Sequence, residues 1–403
     1  MDRLASFKRT LPRNSAFRNL LSLRIVMITK KYLKGLILLT TSLIVLGCAK
    51  DDSLPDGTPA EKPGNAEAKD ISPNVITQEA TYFNNLFNLF GGGWTGGDGA
   101  YSIPLPDGRL LWTFGDTFLG TVNEDYTRNG PLINNTFVIQ DGDQLTTLYG
   151  GTEENPEAYV RPLDNPNHWY WPADGIVLDG KLYMFMSRIR STGEIGIFSF
   201  EQVGTDLTVF SLPGLEMIGQ YQVARTDQYL MGVNLYREEN FVYVYGTRST
   251  FRKNAVLARF DTSNPLDIRY WDGEGWSDTF VPDVYLKKGN GENLRVSNQL
   301  TVFKQGDDYR LLVQDDFAGS EIRVYTSDSP TGPWFSPQIV YETPETGLDN
   351  GNLWTYNAYA HPHIEHPEKG ILVTYSVNTF DFWSLFQDAR IYRPRFLWVK
   401  EAG

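Results

Sequence analysis

The sequence predicts an all-β fold, a five-bladed β-propeller, from three observations. One hairpin form recurs five times: a short strand, a tight polar turn, then a strongly apolar strand. The turn centres fall near residues 107, 179, 239, 307 and 368, so successive copies lie 72, 60, 68 and 61 residues apart. Each interval is long enough for one four-stranded antiparallel sheet with its loops. Helical periodicity is scarce, with residues 78–90 the only short-helix signal. Radial repetition also leaves such a chain with only short, protected sheet edges.

The N-terminal segment stands outside that repeat. Residues 1–47 hold nine Lys and Arg and one acidic residue, Asp2. Met27 is the expected start of translation, which places Lys30, Lys31 and Lys34 just ahead of an apolar run over residues 36–46. That run has the length of a signal-peptide core and is too short to span a bilayer. It ends in Val45-Leu46-Gly47-Cys48, which resembles a bacterial lipobox. The expectation is a cleaved leader over 1–47, with Cys48 lipidated. The protein would then be an outer-membrane lipoprotein facing the surface or the periplasm. Residues 48–74, rich in Pro, Gly, Glu, Lys and Ala, are too polar to bury a core and read as a flexible tether. The propeller is assigned to residues 75–403.

The hairpins follow in order. Blade 1 runs over 99–105, turns at Pro106-Asp107-Gly108 and returns over 109–114. Blade 2 uses 175–178, Asp179-Gly180 and 181–186; blade 3 uses 231–236, Glu238-Glu239-Asn240 and 241–245. Blade 4 uses 299–303, Gly306-Asp307-Asp308 and 309–313; blade 5 uses 358–364, Pro367-Glu368-Lys369-Gly370 and 371–375. Asp-Gly between β-rich runs is a strong hairpin signal, because these residues tolerate the positive φ that tight turns need. The last strand, around 396–399, is expected to help close the ring. In blade 4, Ser327-Asp328-Ser329-Pro330-Thr331-Gly332-Pro333-Trp334 resembles a turn of five-bladed glycosidase propellers and serves as a fold marker.

Chemistry is expected at the hairpin ends away from the turns. Asp98 lies nine residues before Asp107, and Asp116 nine residues after it. Positions equidistant from an antiparallel turn face each other, with Cα atoms about 4.5–5.5 Å apart. Two adjacent carboxylates push their pKa values apart, so one can hold a proton while the other stays ionised. That division is the logic of glycoside hydrolysis. The run Gly91-Gly92-Gly93-Trp94-Thr95-Gly96-Gly97 lets backbone approach a ligand closely and offers Trp94 as a stacking surface.

The other blades supply candidates at the same level. Asp174 precedes the first strand of blade 2 much as Asp98 does in blade 1, and is a third acid–base candidate. Trp169 and Trp171 form a sugar platform in this reading, with Arg188 at the same end. Arg225 and Asp227 enter blade 3. Asn298 opposes about Asp315, beside Asp316, and Asn357 opposes about Asn378. His361 and His363 share a strand face; a channel-lining His361 and a satisfied core histidine are both open. No metal site is assigned, because zinc would want a third ligand. No cofactor is implied, and a structural cation in the central channel is left open.

Gly97-Asp98-Gly99, residues 111–118 (Leu-Trp-Thr-Phe-Gly-Asp-Thr-Phe) and residues 356–362 (Tyr-Asn-Ala-Tyr-Ala-His-Pro) resemble the bacterial "domain of unknown function 4185" propellers. Some of these are endo-acting D-arabinanases of glycoside hydrolase family 183. The resemblance spans most of residues 90–380. It implies catalytic roles for two first-blade aspartates, which match Asp98 and Asp116. His363 departs from it, standing where an acidic residue is expected.

Charge excludes other classes. Removing residues 1–47 leaves 27 Lys and Arg against 48 Asp and Glu, a formal charge of −21. So acidic a body is a poor partner for nucleic acid or anionic lipid. A single cysteine excludes an internal disulfide framework, and no P-loop motif is present. The leading expectation is a monomeric surface glycoside hydrolase cutting a furanose polysaccharide, with endo action on D-arabinan first. Its rivals are a non-catalytic glycan-binding propeller of a polysaccharide-utilisation system and a structural, protein-binding propeller.

Overall fold

The structure, a computed structural model, describes residues 71–401 apart from 90–92, 197, 225–227, 249–252 and 316–317. The leader, the Cys48 anchor and nearly all of the tether lie outside the described residues. So do Gly91, Gly92, Arg225, Asp227 and Asp316.

Five antiparallel sheets form the five blades. Their innermost strands are Tyr101–Pro104, His168–Leu178, Tyr229–Glu238, Leu300–Gln305 and Leu353–His366. Each touches the next, and the fifth returns to the first, so the ring is closed. In every blade the two strands of the anticipated hairpin are the two nearest the axis. The innermost pairs turn between Pro104 and Leu110, Leu178 and Lys181, Glu238 and Phe241, Gln305 and Asp308, and His366 and Gly370. Asp179 and Glu239 adopt positive φ in two of these turns.

Closure uses both ends of the described chain. The C-terminal strand Pro394–Glu401 is the third strand of blade 5, and Val75–Glu79 pairs with it as the outer edge, Val75 opposite Glu401. Thr81–Leu86 is the short helix anticipated near residues 78–90. It packs Phe83 beside Phe87 against Phe396 and Trp112.

The strands are apolar on both faces because each blade is sandwiched between two others. Leu111 packs with Leu182 and Phe210 of blade 2, while its neighbours Trp112 and Phe114 pack with Phe396 of blade 5. Burying one such aromatic stabilises by about 2–3 kcal/mol. Five apolar clusters of this kind fill the spaces between adjacent blades. The innermost strands of blades 2, 3 and 5 carry register shifts, at Pro172/Gly175, Met231/Asn234 and Tyr356/Tyr359. These bulges re-aim the side chains that follow them, and they decide which residues reach the cleft.

Candidate active site

Blade 1 brings Asp98 and Asp116 together. Tyr101 pairs with Thr113 on one side of the two aspartates, and Gly97 pairs with Thr117 on the other. Both pairs are equidistant from Asp107, so Asp98 and Asp116 face each other in the gap between the two ladders. The Gly115 amide closes that gap by donating to the Asp98 carbonyl at 2.9 Å. Glycine is required at 115: a Cβ there would stand 2.8 Å from Asp98 Oδ1 and 3.5 Å from the Trp171 ring.

The two carboxyls have different neighbours. Tyr356 donates to Asp98 Oδ2 at 2.5 Å, Asn378 donates to the Tyr356 hydroxyl at 3.2 Å, and Tyr392 also bonds Asp98. Burial raises the Asp98 pKa to about 6, against the restraining effect of those hydroxyls. On Asp116 both donors reach the same oxygen, Oδ1: Trp171 Nε1 at 2.8 Å and Asn134 Nδ2 at 3.3 Å. Burial and the adjacent Asp98 charge raise the Asp116 pKa to about 7. Its Oδ2 is left to carry a proton.

Both aspartates line a cleft of about 1540 Å³ that draws on all five blades. Trp171, Asn298 and Asn357 line it, as the sequence suggests. Trp171 does so as a hydrogen-bond donor to Asp116 as well as an aromatic wall. Asn357 sits at φ 58° in the blade 5 bulge, and its buried Oδ1 has no partner among the described residues.

Other anticipated residues are placed elsewhere. Trp94 is fully buried against Phe87 and Phe114, a core residue and not a stacking surface. Trp169 lies edge-on to Trp171 and does not line the cleft. Arg188 is consumed by ion pairs with Asp206 and Asp164. Asp174 is 5% exposed and lies within the bulge of blade 2. It accepts from the amides of Gly175 and Leu235, both at 2.8 Å, from Tyr359 at 2.9 Å and from Asn234 at 3.5 Å. It staples blades 2, 3 and 5 together and does not line the cleft, so the structure does not support an acid–base role. His361 is also fully buried, with Nδ1 at 2.5 Å from Ser102 Oγ and Nε2 at 3.0 Å from Thr374 Oγ1. It joins blades 5 and 1 as a satisfied core histidine. Among the described residues no group of three or more His, Cys, Asp or Glu could hold a metal ion.

Sequence reasoning missed Tyr356, Tyr392 and Asn134. Tyr356 immediately precedes Asn357, a residue the sequence did single out; the bulge after it sends its hydroxyl to Asp98. Tyr392 and Asn134 sit in loops, where spacing from a turn says nothing.

Fold and site together define a five-bladed propeller with a paired-carboxylate, aromatic-lined cleft. Residues 80–401 match the family described as Domain of unknown function (DUF5005), and the chain belongs to that family. The family named by the sequence motifs was a different one. No curated protein matches the chain. Among solved structures it is similar to a protein from Bacteroides ovatus named as a candidate hydrolase. Their TM-score is 0.69 at 21% identity, covering 81% of this chain and 90% of that one. It is less similar to the GH43_1 enzyme from Xanthomonas citri complexed with xylotriose, with a TM-score of 0.46 at 14% identity, covering 80% and 93%. An exo-β-1,3-galactanase from Phanerochaete chrysosporium gives a TM-score of 0.42 at 11% identity, covering 81% and 64%.

Proposed function

We propose that this protein is a glycoside hydrolase in which Asp116 is the general acid and Asp98 the base or nucleophile. The observation that carries the reading is the opposed pair itself: two carboxyls in one open cleft, each with its own set of donors. Asp98, held by two phenolic O–H donors, is the easier of the two to ionise. Asp116 takes both its donors on Oδ1, which leaves Oδ2 to hold a proton that it can give to a leaving glycosidic oxygen.

The finer reading is endo action on a furanose polysaccharide, D-arabinan first, from a lipid anchor at Cys48. Its support is the sequence: the Gly-Asp-Gly and Phe-Gly-Asp-Thr motifs and the lipobox-like segment. Incubation of the protein with a panel of polysaccharides that includes arabinan, followed by chromatography of the products, tests it. Oligosaccharides of mixed length are expected from arabinan. Retention of a glycan with no release of product would favour the glycan-binding alternative instead.

A further inference from the structure

Blade 1 sits between blades 5 and 2, and each of those neighbours carries an aromatic bank on the wall of the same cleft. On blade 5, Trp354 stacks with Phe380 at 5.7 Å and 23°, and Trp383, 69% exposed, lines the same cleft. On blade 2, Trp171 meets Phe200 edge-on at 4.7 Å, and Phe198 lies 6.4 Å further out, 51% exposed. The carboxyls are divided in the same sense. Asp98 is bonded from blade 5 by Tyr356, and Asp116 from blade 2 by Trp171.

We propose that the cleft binds an uncharged polysaccharide lengthwise with fixed polarity, the glycone on the blade 5 bank and the leaving aglycone on the blade 2 bank. This rests on the hydrolase reading given above. The acid that protonates the leaving oxygen stands on the blade 2 side, so the aglycone departs along Trp171, Phe200 and Phe198. The group that attacks or activates water at the anomeric carbon stands on the blade 5 side, so the preceding sugars lie along Trp354, Phe380 and Trp383. The exposed rings among these, Phe380, Trp383 and Phe198, offer flat apolar faces to sugar C–H surfaces while sugar hydroxyls stay hydrated. Besides the aspartates, the charged groups lining the cleft among the described residues are Arg190, Glu201 and Lys253, and Arg190 pairs with Glu201 at 2.6 Å. Among the described residues that leaves no cationic cluster to recruit a polyanionic glycan.

The test uses Trp383→Ala and Phe198→Ala, whose exposed side chains can be removed without opening the core, on oligosaccharides labelled at the reducing end. Losing the glycone bank makes the chain bind further into the aglycone bank. Trp383→Ala should therefore cut nearer the non-reducing end and release longer labelled products. Phe198→Ala should release shorter ones. Shifts in the same direction, reversed shifts or an unchanged profile in both variants would overturn the polarity. If the wild type retains a polysaccharide in affinity electrophoresis without cutting it, the hydrolase reading and the polarity fail together. The two-bank groove is then judged by retention: weakened by both substitutions supports it, and weakened by one or neither overturns it.

Discussion

Asp98 and Asp174 look alike in the chain and differ in the fold. Each follows a small residue and precedes glycine. Burial raises both to a pKa of about 6. Yet Asp174 is sealed within a bulge by donors from three blades, whereas Asp98 opens on a cleft opposite a second carboxyl. A raised proton affinity records burial; access to a ligand and a partner of different proton affinity are what distinguish a reacting group from a structural one.

The largest expected effect breaks that comparison at its functional end. Asp98→Asn and Asp116→Asn should each lower kcat on the cleaved polysaccharide by about 10²–10⁴-fold, with the unfolding midpoint unchanged or raised. Asp174→Ala should do the reverse. Its three close donors would lose a shared acceptor, at roughly 1–3 kcal/mol for each buried group left unpaired. Denaturant unfolding should show the loss, while kcat of the folded fraction stays near that of the wild type.

A second effect concerns stability against pH. Folded Asp98 and Asp116 hold their protons to about pH 6 and 7, whereas an unperturbed aspartate releases near 3.8. Between those values these two groups bind more protons in the folded state than in the unfolded chain, so their contribution to stability falls as pH rises from about 4 to 7, opposite in sign to that of the buried His361 and His363, whose pKa values burial lowers. The Asp98→Asn, Asp116→Asn double variant should lose part of that slope and gain roughly 1–3 kcal/mol at pH 7.5.

Much of this was legible in the sequence. Turn residues recur because tight hairpins demand them, so the blade count and the innermost strand pairs could be read directly. Reflection about Asp107 works for Asp98 and Asp116 because no bulge interrupts blade 1 between Gly97 and Thr117. The same reasoning fails for Asp174, since the Pro172/Gly175 bulge turns its side chain to the blade interfaces. Trp94 and His361 fail for a related reason: strands buried on both faces show no alternation to say which side chains are free. The pairing of Val75–Glu79 with the C-terminal strand joins residues far apart in the chain, and no local signal marks it.

Smaller effects sharpen the division of roles within the pair. kcat/KM should rise as Asp98 ionises near pH 6 and fall as Asp116 loses its proton near pH 7, the two limbs belonging to the coupled pair. The hydrogen bond from Trp171 favours the Asp116 carboxylate, so Trp171→Phe should move the alkaline limb to higher pH. Tyr356→Phe removes the equivalent support from Asp98 and should move the acidic limb up. Each shift should be under about one unit, the scale of a single neutral hydrogen bond.

The most direct measurement is oligosaccharide release from a polysaccharide panel by four proteins: wild type, Asp98→Asn, Asp116→Asn and Asp174→Asn. The account predicts release by the wild type and by whatever Asp174→Asn protein folds, and none above background from the other two. Release by Asp98→Asn or Asp116→Asn at the wild-type rate would contradict it.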